Sequence, residues 1–208
     1  QKTAYELSLG LVGAEMCIRD SSTGAGPHLA TEDTGVPGMA AIRQARKAID
    51  DLGKRGEINL IYAGGIRNGA DVAKAIALGA DAIAIGHSVM MALNCNKDIP
   101  EADFEAEIGA APGYCYHCHT GRCPVGVATQ DIELRKRLDP DEAAERVYNF
   151  LHTLTIEAQM FARACGKTNI HSLEPEDLAA LTMEASAMAG VPLAGTNYTV
   201  GVEDYHHL

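Results

Sequence analysis

Two short apolar runs, each closed by glycine and separated by one helical stretch, set the strongest limit on how this chain can fold. Ile58-Asn59-Leu60-Ile61-Tyr62-Ala63 ends at Gly64-Gly65, and Ala82-Ile83-Ala84-Ile85 ends at Gly86. Both show little alternation of polar and apolar residues, the pattern of parallel strands buried on both faces. Between them, Asn68 to Leu78 reads as a helix stopped by Gly79. Strand, helix, strand in that order is one βαβ unit, and it calls for a parallel sheet, either doubly wound or a β/α barrel.

Helical patterns flank this unit. After Val36-Pro37-Gly38, the residues Met39, Ile42, Ala45, Ile49 and Leu52 recur at spacings of three and four, and Gly53 supplies a stop. Beyond Ser88 the pattern turns irregular through a cysteine-rich stretch. Asp139-Pro140-Asp141-Glu142 then predicts a helix start, with Asp139 as N-cap, Pro140 in the first turn and Glu142 at the capping-box position. That helix is expected to reach Cys165, a core position, with Gly166 as its stop. A further helix is expected from Pro175 to about Ala189, and the polar residues 197–208 read as a mobile tail. Ser8 to Ser21, SLGLVGAEMCIRDS, resembles a translated sequencing adapter, so residues 1–22 are set apart as a non-native leader.

Composition narrows the function. The 208 residues carry a net charge of −11 without a block of Lys and Arg, which argues against nucleic acid or an anionic membrane as the main partner. No stretch approaches the roughly 18 consecutive apolar residues of a membrane span. A small-molecule substrate and a cytoplasmic, reducing compartment are the expectation.

Two features carry chemistry. Glycines at the carboxyl ends of consecutive strands let backbone N–H groups turn toward a phosphate, and the helix N-terminus after Asn68 adds partial positive charge. Gly64, Gly65, Gly86 and His87 are therefore candidate ligand-binding residues, His87 through its backbone; a β/α barrel builds its phosphate site from such loops after its last two strands. The Gly-rich loop Thr23-Gly24-Ala25-Gly26 upstream also permits close approach of a ligand. The second feature is Cys115, Cys118 and Cys123, within nine residues that also hold His117 and His119. Such spacing favours metal or cluster ligation over disulfides: an iron–sulfur cluster on the three thiolates, or zinc with one histidine added.

The phosphate loops resemble several flavin and nucleotide barrels, among them the FMN-dependent hydroxy-acid oxidases and inosine-monophosphate dehydrogenase. The stretch Cys118-His119-Thr120-Gly121-Arg122-Cys123-Pro124-Val125-Gly126-Val127-Ala128-Thr129-Gln130 discriminates among them. It resembles the cluster motif that follows the FMN barrel in the large subunit of glutamate synthases, and the resemblance runs from about Thr23 to Val200. It implies an α/β fold: the C-terminal part of a (β/α)8 TIM barrel (23–90), a cluster-binding segment (91–130), a helical region (131–196) and a tail (197–208). It also implies FMN bordered by Thr23 and Gly24, and a 3Fe-4S cluster on Cys115, Cys118 and Cys123. The family's first cluster cysteine falls at Pro112 here, which makes Cys115 the substitute and Cys95 a more distant one.

The activity so implied is reduction of 2-iminoglutarate, formed from 2-oxoglutarate and ammonia, to glutamate. Electrons would come from a reductase partner and ammonia from a glutaminase subunit or domain. A methylamine-glutamate N-methyltransferase subunit of the same family and a non-catalytic zinc or interaction module are the alternatives. A barrel takes eight strands and about 250 residues. Only two strands are legible here, so the chain is expected to be a fragment that buries its strands poorly and is inactive alone.

Overall fold

A computed structural model describes residues 36–95 and 117–201. Helix α1 (Gly38–Asp51) leads into β1 (Ile61–Ala63), α2 (Gly69–Ala77), β2 (Ala82–Ala84) and a short α3 (His87–Ala92). After a 3-10 turn at His117–His119 come α4 (Ile132–Arg135), the long α5 (Pro140–Ala164) and, beyond two further 3-10 turns, α6 (Met183–Ala189). The two strands pair in parallel, with Ile61 opposite Ala82, Tyr62 opposite Ile83 and Ala63 opposite Ala84. The βαβ unit is therefore present, in a mixed α/β chain with a small parallel sheet.

Local chemistry explains the helix boundaries. The Asn68 side chain accepts from the Asp71 N–H and opens α2; Asp139 accepts from Asp141 and Glu142 and opens α5. Gly166, at a φ of 72°, takes the left-handed conformation that follows the end of α5. Glu142 pairs with Arg146 one turn on, in place of the reciprocal capping-box bond.

Packing is densest between α2 and α5. Val72, Ile76, Leu154 and Ala158 share a core with Ile42, Tyr62 and Leu78, and Ala73 and Ala77 meet Ala162 and Leu173 beside it. Small residues bring the two helices together. A Cβ on Gly69 would lie 2.3 Å from the Glu157 Cβ and 2.4 Å from the Ala158 backbone nitrogen. The Glu157 carboxylate uses that proximity to accept from the Gly69 N–H at 2.8 Å.

One charged residue is buried in this frame. Arg46 of α1 is 4% exposed, donating through Nε to the Gly79 carbonyl at 2.7 Å and through Nη2 to Asp81 at 2.6 Å. The same Asp81 oxygen accepts from the Leu60 N–H at 2.6 Å. Burial raises the Asp81 carboxyl, but the Leu60 N–H and the Arg46 guanidinium outweigh it and hold the group below the ordinary aspartate pKa.

Several expectations are corrected. The strands are covered on one face only: Tyr62 is buried, whereas Ile61 is 60% exposed and Ala82 and Ala84 are exposed beside it. Apolar content made these segments read as buried on both faces, yet the helices of the described residues pack on one. The first strand starts at Ile61 instead of Ile58, because Ile58 makes an isolated bridge to Arg55. The irregular stretch after Ser88 begins instead with α3. Cys165 is exposed at the C-cap of α5 and not in the core, since Ala158 and Ala162 face inward there. The single helix expected from Pro175 is a 3-10 turn, a bridge between Ala180 and Leu193, and then α6 with Thr182 as a new N-cap. The segment read as a tail is tied down at its start: Leu193 N–H donates to the Tyr198 carbonyl and Val200 N–H to the Ser186 hydroxyl.

Two outcomes follow from this packing. Gly69→Ala forces α2 away from the α5 backbone and is expected to cost at least about 1–3 kcal/mol in urea denaturation. Asp81→Asn is expected to cost about 1.5–3 kcal/mol, because partial exposure of Asp81 screens the pair below the value of a fully buried one. Since the folded pKa of Asp81 is lowered, its contribution is complete above about pH 4 and is lost as pH falls through the folded value. The variant should therefore lose less stability on acidification than the parent when the two are titrated together.

Candidate functional site

The carboxyl ends of β1 and β2 open into a cavity of about 370 Å³. Its walls are the loop Gly64-Gly65-Ile66-Arg67 on one side and Gly86-His87-Ser88 on the other, with Ala63, Ala84 and Ile85 at the base. Gly64 (φ 122°) and Gly65 (φ 64°) adopt backbone angles that a side chain resists, which turns the chain sharply off β1. Gly86 differs. Its φ of −110° suits any residue, and a Cβ built on it meets nothing within 4 Å. Among the described residues neither conformation nor crowding requires glycine there, and the space beside it is open.

The lining of this space is mainly apolar, and Arg67, His87 and Ser88 are its polar side chains. Among the described residues, no acceptor meets the N–H groups of Gly65, Ile66, His87 and Ser88. These four residues all line the cavity and no carboxylate does, which makes it compatible with an anion. The α2 N-terminus contributes less than its sequence suggests, because Glu157 takes the Gly69 N–H and Asn68 takes that of Asp71. Arg67 extends into solvent and donates to Asp71 through both its backbone N–H and Nε. His87 is exposed, so its ring is available at the cavity rim.

Local hydrogen bonds fix the second candidate region. Cys123 is buried, Pro124 is fully buried, and Arg137 donates to the Pro124 carbonyl at 2.7 Å. The Thr129 hydroxyl donates to the Gly121 carbonyl and accepts from the Asp131 N–H. Asp131 then caps α4, and the N–H groups of Leu134 and Glu133 hold its carboxyl below the ordinary pKa. Gly126 has a φ of 83°, and a Cβ there would lie 2.5 Å from the Leu134 carbonyl. The turn from Cys123 to Thr129 is thus folded tightly against α4, with Cys118 exposed on the 3-10 turn before it.

Of the residues expected to form sites, the structure brings Gly64, Gly65, Gly86 and His87 around one cavity. Cys118 and Cys123 lie on one compact segment. Thr23, Gly24 and Cys115 fall outside the described residues. Within the described residues, no group of three or more His, Cys, Asp or Glu side chains converges as metal ligands do. Sequence reasoning missed the Glu157 cap, the Arg137 brace and a bond from the Ser88 hydroxyl to the Ile66 carbonyl. Each joins segments distant in sequence, and no local pattern signals any of them.

Comparison with known proteins gives this arrangement a lineage. The family model described as a conserved region in glutamate synthase matches residues 19–100 and 104–168, covering both cavity loops and the Cys118–Thr129 segment. The chain belongs to the glutamate synthase family. It is 47% identical to the glutamate synthase large subunit-like protein of Rhizobium meliloti over 95% of this chain and 45% of that protein. It is 41% identical to the archaeal glutamate synthase [NADPH] of Methanocaldococcus jannaschii, over 73% of this chain and 26% of that protein. The archaeal-type glutamate synthase [NADPH] of Dehalococcoides mccartyi is 34% identical over 88% of this chain and 35% of its own length. The chain thus spans less than half the length of these curated relatives. The family model begins at residue 19, and the Rhizobium alignment also enters the segment set apart as a leader.

Membership in the glutamate synthase family makes the rigidity of the Cys123 turn a property to measure. Thr129→Val keeps the shape but leaves the Gly121 carbonyl and the Asp131 N–H without their partner. It is expected to lower stability by about 1–3 kcal/mol and to expose the 117–130 segment to limited proteolysis, with cleavage sites read by mass spectrometry.

Proposed function

We propose that this chain is the phosphate-binding and cluster-binding portion of a glutamate-synthase-type oxidoreductase, in which FMN sits at the carboxyl end of a β/α barrel. The observation that carries the reading is the cavity at the ends of β1 and β2, with backbone N–H groups of its lining residues left unpaired among the described residues and open space beside Gly86. These residues fit a phosphate ester. The N–H groups of Gly65, Ile66, His87 and Ser88 would hold it, and the missing Cβ of Gly86 gives it room. The uncovered sheet face supports the barrel. Ile61, Ala63, Ala82 and Ala84 form one small apolar surface that the further strands of a barrel would enclose.

In this reading Thr23 and Gly24 border the flavin or the substrate, and Cys115 joins Cys118 and Cys123 as thiolate ligands of a 3Fe-4S cluster. Cys118 is exposed on its turn, while Cys123 is buried on a segment held by the Arg137 brace and the Thr129 bonds. Bound at these places, the flavin supplies hydride chemistry and the cluster one-electron transfer. The substrate pair is 2-oxoglutarate with ammonia, joined as 2-iminoglutarate and reduced to glutamate in the cytoplasm. A reductase and a glutaminase, as subunits or domains, are the partners that reaction needs. The role of the residues described is to position: they would fix the phosphate end of the cofactor and hold two sulfurs on one compact segment.

Anaerobic absorption spectroscopy of the full-length protein, with iron and acid-labile sulfide analysis, tests the reading. The expected result is a flavin spectrum over a broad iron–sulfur absorbance, with iron lost and flavin retained in Cys118→Ala or Cys123→Ala. Gly86→Val, which fills the approach, is expected to weaken FMN binding about tenfold or more. A colourless protein holding one zinc would overturn it.

A further inference from the structure

The ladder between β1 and β2 ends at Ala63 and Ala84, and the cavity begins where it stops. Beyond that point no backbone–backbone hydrogen bond joins the Gly64–Arg67 loop to the Gly86–Ser88 loop among the described residues. One side chain does. The half-buried Ser88 hydroxyl donates to the Ile66 carbonyl across the cavity wall.

This bond acts on the peptide unit that most needs control. The Ile66 carbonyl is the one strong acceptor it engages in the loop, and an unpaired carbonyl near an anion is repulsive. A hydroxyl donor neutralises that dipole and holds the oxygen to one side. The same peptide is fixed at its other end, where the Arg67 N–H donates to Asp71 at 3.1 Å. Held at both ends, the 66–67 peptide plane has one orientation in the loop. The hydroxyl also sets the spacing between the Gly65 and Ile66 donors and those of His87 and Ser88.

We infer that Ser88 is a positioning residue for phosphate recognition: its hydroxyl clips the two strand-end loops together so that their N–H groups converge before the ligand arrives. The inference rests on the FMN-phosphate reading and adds to it a side chain that need not touch the phosphate. A clip made in the free protein lowers the ordering cost of binding, so it acts on the phosphate portion of the affinity and not on contacts to the ring.

Comparing FMN with riboflavin, which lacks only the phosphate, separates these effects. Both ligands would be titrated into the flavin-free, full-length protein and into Ser88→Ala and Ser88→Thr, with quenching of flavin fluorescence as the signal. The parent is expected to prefer FMN. Ser88→Ala should reduce FMN affinity about tenfold, the effect of one hydrogen bond of this kind, with riboflavin affinity unchanged, and Ser88→Thr should restore the preference. An unchanged FMN-to-riboflavin ratio in Ser88→Ala, or an equal loss for both ligands, would overturn the clip while leaving the phosphate site standing. A parent protein that binds the two ligands equally would remove the phosphate reading and the clip together. If Ser88→Ala does not fold, Ser88→Cys keeps the volume with a weaker donor, and the same ratio decides.

Discussion

The buried Arg46 guanidinium and its two acceptors organise the amino-terminal side of the sheet. Arg46 reaches from α1 to the turn after α2 and to Asp81 just before β2, and Asp81 in turn holds Leu60 just before β1. One charge pair therefore ties a helix to the entry points of both strands. A guanidinium can do this because its planar array of donors satisfies two acceptors on different segments at once. The turn accommodates it only because residue 79 is glycine: a Cβ there would lie 2.8 Å from the Arg46 Cγ.

With the strand entries fixed, the strand exits open onto the cavity, and α5 braces the elements that follow them. Glu157 holds the start of α2 and Arg146 donates to the Ala92 carbonyl at the end of α3. The two loops that line the cavity are thus carried by helices that lean on a common support. Stability is concentrated at one end of the sheet and open backbone donors at the other, the division of labour that β/α architectures favour. The cysteine turn follows a separate logic. Its order comes from short-range bonds of Thr129 and Asp131 and from the Arg137 brace reaching back from beyond α4.

Much of this was legible in the residues. Gly64-Gly65 and Gly86, placed after two apolar runs, gave the strand ends and the cavity between them. Asn68, Asp139 and Gly166 marked helix boundaries through side-chain capping and left-handed backbone, both of which act within four residues of the position that encodes them. The errors share a cause. The helix from Pro175 failed because Ala180 pairs with Leu193 instead of continuing a turn, and Cys165 was misplaced because the inward face of α5 is decided by its partner helix.

The sequence by itself determined the order of the βαβ unit and the long helix after it, the parallel sense of the strand pair, the glycines at the strand ends and the compact cysteine motif. All of these depend on short-range sterics and on the periodicity of apolar residues. Only the tertiary structure decided that Arg46 is buried, that Glu157 takes a backbone donor expected to serve a ligand, that Ser88 bridges the two loops, and which face of each strand is covered. Those outcomes depend on segments 20 to 90 residues apart meeting in space. A local pattern records which side chains are available, and the packing of distant helices selects which of them meet.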